Sequence, residues 1–163
     1  MTSSFFHGSA ICEVDRDGTV SIPDFLADAL AGEDAELMVA RHEADDCLIG
    51  YGREYLNELR TRAEARRLAD ETRGEDARNH YRRMRRTFGA VEKLPRAGAT
   101  MRIPAAMRHL GKIGALALFV GAGDSFEIWN PDLAIENADE QFRDLAAFRM
   151  KTLRGDLSGS ALS

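Results

Sequence analysis

One ten-residue pattern occurs twice in this chain. Val14-Asp15-Arg16-Asp17-Gly18-Thr19-Val20-Ser21-Ile22-Pro23 and Pro95-Arg96-Ala97-Gly98-Ala99-Thr100-Met101-Arg102-Ile103-Pro104 both read as a turn, then Thr, an apolar residue, a polar residue, Ile and Pro. Each proline opens a short helical segment, Asp24 to Leu30 in the first copy and Ala105 to Leu110 in the second. Gly111 follows the second and suits a left-handed helix end. Farther on, Glu36-Leu37-Met38-Val39-Ala40 matches Ala115-Leu116-Ala117-Leu118-Phe119-Val120, and Asp46-Cys47-Leu48-Ile49-Gly50-Tyr51 matches Asp124-Ser125-Phe126-Glu127-Ile128-Trp129. Each copy thus predicts strand, turn, strand, proline, short helix, strand, turn, strand. A unit of about 45 residues buries too little apolar surface to stand alone. Two such units that interlock their hairpins can share one barrel-like core. Alternation in the repeated strands turns Val20, Ile22, Met101 and Ile103 inward, and Thr19, Ser21, Thr100 and Arg102 outward.

The boundaries that follow are 1–52 for the first repeat, 53–88 for an insert and 89–130 for the second repeat. A C-terminal helix over 131–154 and an unordered tail over 155–163 complete the chain. The insert predicts two helices. The first, over 53–72, carries a thin apolar stripe of Leu56, Leu59 and Ala63 and is broken at Arg73-Gly74. The second, over 75–88, has Ala77, Tyr81, Met84 and Phe88 on one face.

Charge is distributed unevenly. The net charge of the 163 residues is −5, yet residues 53–86 hold 11 arginines against 7 acids. Arg78, Arg82, Arg83, Arg85 and Arg86 fall within ten residues that contain no acid. The first repeat is acidic, whereas residues 88–129 hold 3 acids against 5 basic residues. A polyanion responds to such local fields rather than to net charge.

Other classes are not expected. The longest apolar run, Ala115 to Val120, is too short for a membrane span, and the Met-Thr-Ser-Ser-Phe-Phe-His-Gly start lacks the features of a secretory leader. Two cysteines, Cys12 and Cys47, are too few for a disulfide framework and read as small buried hydrophobes in a reducing cytosol. His7, His42, His80 and His109 are scattered, without the pairing a metal needs. Gly121-Ala122-Gly123 lies between two strands and reads as a hairpin turn, with Asp45-Asp46 as its counterpart. No serine or cysteine has an evident base partner. No enzyme, metal or cofactor is therefore expected. Trp129 is expected to pack the core or its rim, and Phe5 and Phe6 to pack the first strand.

The order of motifs resembles the MraZ family: Phe-x-Gly near the start, a turn ending in Val-x-Ile-Pro, Leu-Ile-x-Tyr closing the first copy, and an Arg-rich helix ending in Phe-Gly-Ala. A second turn ending in Met-Arg-Ile-Pro follows, and then Leu-Phe-Val-Gly-x-Gly-Asp-x-Phe-Glu-Ile-Trp. The resemblance runs from Phe5 to about Trp129. It implies an α+β fold, a double-split β-barrel made from two tandem AbrB-like swapped-hairpin repeats, with the helical hairpin inserted and the C-terminal helix appended. It also implies a cytoplasmic, nucleoid-associated, ring-forming homo-oligomer. Such a protein binds double-stranded DNA at promoter repeats upstream of the division and cell-wall gene cluster and regulates transcription there. Membranes are not an expected partner.

The family's contact pattern is Asp, three residues, then Arg, in each turn. Carried onto this chain it falls on Asp15 and Thr19, and on Arg96 and Thr100. Threonines thus stand where the family has arginines. Thr can bond a phosphate or touch a base edge, but it makes no bidentate contact to guanine. Arg16, Arg96 and Arg102 are placed to supply charge instead. The expected DNA-binding residues are Asp15, Arg16, Thr19, Arg96, Thr100 and Arg102. Arg78, Arg82, Arg83, Arg85 and Arg86 serve either DNA or a neighbouring subunit. The alternative reading is an oligomeric scaffold of the same fold with degenerate, weakly specific DNA binding.

Overall fold

Asp15 and Gly18 build the first turn. The Asp15 carboxylate accepts the backbone N–H of Asp17 (3.2 Å) and Thr19 (2.9 Å). Gly18 takes φ +89°, and a Cβ there would overlap the carbonyl oxygen of Ile103, so the turn is pressed against the second repeat. The computed structural model describes residues 5–30 and 36–162. Residues 1–4, part of the start read for a leader, and Ser163 of the expected tail lie outside them.

The first repeat supplies β1 (Ser9–Glu13), β2 (Thr19–Ser21), α1 (Asp24–Ala29), β3 (Leu37–Arg41) and β4 (Leu48–Gly52). The insert is α2 (Arg53–Thr72) and α3 (Ala77–Phe88). The second repeat supplies β5 (Glu92–Lys93), β6 (Arg96–Ala97), β7 (Thr100–Arg102), α4 (Ala105–Leu110), β8 (Leu116–Gly121) and β9 (Phe126–Trp129). The chain closes with α5 (Pro131–Ile135) and α6 (Glu140–Leu162).

All pairings are antiparallel, and the two repeats trade strands. β1 of the first repeat pairs with β8 of the second, Ile11 opposite Leu118. Reciprocally, β5 of the second pairs with β3 of the first, Glu92 opposite Val39. β2 pairs with its own counterpart β7, Val20 opposite Met101, and β4 with its counterpart β9, Ile49 opposite Glu127. The β2–β7 and β4–β9 registers are each symmetric about the Val20–Met101 and Ile49–Glu127 pairs, so an approximate two-fold axis passes through both. Among the described residues this gives a six-stranded sheet ordered β1-β8-β9-β4-β3-β5 and a three-stranded sheet ordered β2-β7-β6.

The fold is therefore mixed α+β with antiparallel sheets. The expected shared core exists, but it lies between two open sheets rather than inside a closed barrel. β2 and β7 are three residues long and β5 and β6 two, too short to carry pairing around a full circle. Leu37, Val39, Leu48, Phe119, Phe126 and Ile128 line the large sheet's inner face. They pack on Val20, Met101 and Ile103 of the small sheet and on Leu26 and Met107 of the short helices. Burying each of the larger side chains stabilises the fold by about 1.5–3 kcal/mol. On the outer face Cys47, Leu118 and Trp129 pack under Ala134 of α5 and Ala146 of α6, with the Trp129 ring 4.8 Å from that of Phe142.

Five local expectations change. Gly111 keeps φ −91°, and Lys112 is the left-handed residue at φ +56°. Lys112 N–H bonds the His109 carbonyl (3.2 Å) and Ile113 N–H the Arg108 carbonyl (2.9 Å), a Schellman end. Glycine is needed at 111 for a different reason: a Cβ there would meet the Leu48 side chain. Phe6 is buried edge-on against Phe126 (5.2 Å), but Phe5 is 64% exposed. Cys47 is buried and Cys12 only half-buried. The C-terminal segment is two helices, because Asn130 caps α5 by accepting the Asp132 N–H (2.9 Å) and that helix ends at Glu136. α6 then continues through Gly155 to Leu162, where an unordered tail was expected; a single glycine costs a helix only about 1 kcal/mol. No helix among the described residues is long and apolar enough to cross a membrane.

Candidate nucleic-acid interface

The β2–β7 ladder presents one outward face. Register sets Thr19 opposite Arg102 and Ser21 opposite Thr100, while Val20 and Met101 are buried behind them. Directly paired residues share a face, so Thr19, Ser21, Thr100 and Arg102 emerge together. Thr19 and Thr100 are diagonal neighbours, about 7–8 Å apart in such a ladder. Asp15, Thr19, Ser21 and Thr100 line one shallow depression of about 310 Å³.

Both repeated turns flank this face. Ile103 N–H bonds the Gly18 carbonyl (2.9 Å) at one end, and Ile22 N–H bonds the Ala99 carbonyl (2.9 Å) at the other. Each turn is thus tied to the strand leaving the opposite turn. Arg108 of α4 adds a strap: its Nε donates to the Ile103 carbonyl (3.0 Å) and its Nη1 to the Arg16 carbonyl (3.1 Å). Sequence reading gave Arg108 no role. Its partners are main-chain carbonyls, one of them in the other repeat, so no side-chain pattern marks it.

The six expected contact residues do not all behave alike. Arg16 and Arg102 are exposed. Asp15 is exposed, but its carboxylate is engaged by the turn's own N–H groups. The Thr100 hydroxyl donates to the Ala97 carbonyl (3.0 Å). Arg96 pairs in register with buried Met101 and is half-buried, which sets it in the other phase of the ladder from Thr100 and Arg102.

The insert divides its arginines between two tasks. Asp70 near the end of α2 is almost fully buried, and its carboxylate receives Arg73 (2.7 Å), Arg66 (3.6 Å) and, from α3, Arg83. The hydrogen bond from Arg73 leads in holding the Asp70 carboxyl below the usual carboxylate range; burial opposes this and Arg83 reinforces it. Arg83 is thus a tie between the two helices. Arg78, Arg82, Arg85 and Arg86 are exposed and make no ion pair among the described residues. Their spacing of four, seven and eight residues from Arg78 sets all four on one side of α3. The five arginines named from the sequence are therefore one internal tie and a solvent-facing cationic stripe of four. Asp76 opens α3 by accepting the Arg78 N–H (2.9 Å), and Gly74 makes the preceding bend at φ +72°.

No family model matches the chain. It is similar to the transcriptional regulator MraZ of Rhodospirillum rubrum, with 33% identity over 129 residues that span 77% of this chain and 79% of the relative. That stretch is long enough to require both repeats, and on this similarity, with the repeated turns and the strand exchange now described, the chain belongs to the MraZ family.

Proposed function

We propose that this protein is a DNA-binding transcriptional regulator and not an enzyme. In this reading the outward face of the β2–β7 ladder lies against the duplex. The observation that carries it is the convergence of Thr19, Ser21, Thr100 and Arg102 on one face, with a repeated turn at each end. A two-fold surface suits a duplex, whose backbone has local two-fold symmetry of its own. Arg16 and Arg102 supply charge to phosphates, and the threonine hydroxyls reach phosphates or base edges. The second repeat, being basic, carries more of the contact than the acidic first. In this reading the protein assembles into a homo-oligomeric ring in the cytoplasm, associated with the nucleoid. Its targets are repeated sites upstream of the division and cell-wall gene cluster.

Two observations favour a second reading, a ring-forming scaffold with weak, sequence-blind DNA affinity. Asp15 is occupied by its own turn, and both arginine positions of the family pattern are threonine. Fluorescence anisotropy with the cluster's upstream DNA and a scrambled duplex, at about 0.1 M salt where the Debye length is about 10 Å, separates the two. A clear preference for the upstream DNA supports the regulator. Equal binding to both sinks it.

A further inference from the structure

Three side chains of different donor chemistry meet where the first repeat's β3–β4 connection crosses β9. His42 leaves β3, Cys47 enters β4, and Glu127 sits in β9 opposite Ile49 on the two-fold axis. Closing the hairpin, the His42 N–H bonds the Cys47 carbonyl (2.9 Å), which holds those two residues face to face. His42 Nε2 lies 3.2 Å from Glu127 Oε2. One ligand atom from each residue, the Cys47 Sγ included, lies within 4.8 Å of the other two.

We infer that His42, Cys47 and Glu127 form a binding site for one zinc ion. An imidazole nitrogen, a thiolate and a carboxylate are the donors that this borderline cation takes. With bond lengths near 2.0–2.1 Å, a tetrahedral N···O edge is about 3.3 Å, which the His42–Glu127 separation of 3.2 Å already meets. The thiolate edge is about 3.6 Å, so Cys47 closes by at most about 1.2 Å. The other Glu127 oxygen accepts the Trp129 indole N–H (2.9 Å), which fixes the carboxylate with Oε2 turned to the site. His42 and Glu127 keep about a fifth of their side-chain surface open, giving an entry path and room for a water as fourth ligand.

The cluster is absent from the matching half of the fold. Ser125 stands at the position of Cys47, and Ile49 at that of Glu127. The fold closes without these donors there, so packing alone does not demand them here. Loading has a cost in two places. His42 Nδ1 accepts the N–H groups of Ala44 (3.1 Å) and Asp45 (3.0 Å), so Nε2 carries the ring proton in the metal-free form. Binding moves that proton to Nδ1, where the Asp45 carboxylate 4.0 Å away becomes its acceptor after a shift of the connecting turn. Burial also pushes the Cys47 thiol up, which is the second cost of loading.

The test is a titration of the chelator-treated full chain with cobalt(II), followed by zinc. The site predicts a thiolate-to-cobalt charge-transfer band and tetrahedral visible bands that saturate at one ion per chain and are bleached by zinc. Cys47→Ser abolishes the charge-transfer band, and His42→Asn and Glu127→Gln each weaken binding by about tenfold or more. Folded wild type giving no such band overturns the site, as does Cys47→Ser binding cobalt as wild type does. Should Cys47→Ser fail to fold by circular dichroism, Glu127→Gln decides: affinity equal to wild type's rejects the proposal, and a tenfold loss upholds it.

Discussion

Val20 and Met101 face each other across the β2–β7 ladder, and each is the repeat equivalent of the other. Both are almost fully buried, so the pair marks the axis at the centre of the shared core. Met101→Ala leaves a cavity there and is expected to cost about 2–5 kcal/mol. In a chain of this length that lowers Tm by about 2–4 °C for each kcal/mol. Val20→Ala acts on the same space, so the double variant is expected to depart from additivity. Denaturant unfolding of the two single variants and the double variant measures this.

Gly18 is held at φ +89° with no room for a Cβ, whereas Gly114 has open space around its Cα and no positive φ. Gly18→Ala is therefore expected to destabilise by more than 1 kcal/mol or so and to loosen the first turn. Gly114→Ala is expected to be close to neutral. A comparison of their thermal midpoints checks the pair, and equal effects would refute the account of the turn.

Asp70 joins α2 to α3 through Arg83. Asp70→Asn keeps the shape and removes the charge, and faster amide exchange throughout α3 is expected while the six-stranded sheet stays protected. The carboxyl is depressed in the folded protein, so its contribution is present above the ordinary aspartate value of about 3.9 and is lost as pH falls through its lower folded value. The exchange difference between wild type and Asp70→Asn is thus expected at neutral pH and to vanish in strong acid.

The arginine stripe admits a direct test. Arg82→Glu with Arg85→Glu changes two exposed residues that make no ion pair among the described residues, so the monomer's fold is expected to survive. Intact assembly by light scattering with weaker DNA binding assigns the stripe to nucleic acid. Loss of assembly assigns it to a neighbouring subunit, although each exposed ion pair there contributes only about 0–1 kcal/mol.

For base recognition, Thr19→Arg combined with Thr100→Arg places arginine at both arginine positions of the family pattern, on the outward face. It is expected to raise the preference for upstream DNA over scrambled duplex. Arg102→Ala is expected to weaken both duplexes alike and to lower the salt slope by about 1. Unchanged affinity in both variants would remove the ladder as the contact face.

The features legible in the sequence were those carried by period and repetition. The duplicate Thr-x-x-Ile-Pro segments announced two equivalent units, and alternation assigned Val20, Met101, Thr100 and Arg102 to faces that the registers reproduce. Break residues did as well: Arg73-Gly74 ends α2 where expected, and Ala122 and Gly123 of the Gly121-Ala122-Gly123 stretch lie in the β8–β9 turn, with Gly121 closing β8. What stayed hidden depends on distant partners. Arg83 looks like its neighbours until Asp70 is folded against it. Gly111 resembles a left-handed cap, but Leu48 is what forbids a side chain there. His42 and Cys47 gain a carboxylate only because β4 pairs with β9, a relation no local spacing encodes.

The traded strands also govern how the chain comes into being. Ser9 has no strand partner until Val120 has been made, so the first strand waits while all the residues between them are synthesised. Its backbone groups stay bare meanwhile, an invitation to pair with a neighbouring nascent chain. Contacts so remote in sequence also form slowly, because the loop must close before they are rewarded. A chain that stops before β8 therefore keeps a bare strand edge, and that edge is covered only when the second repeat's long strand arrives.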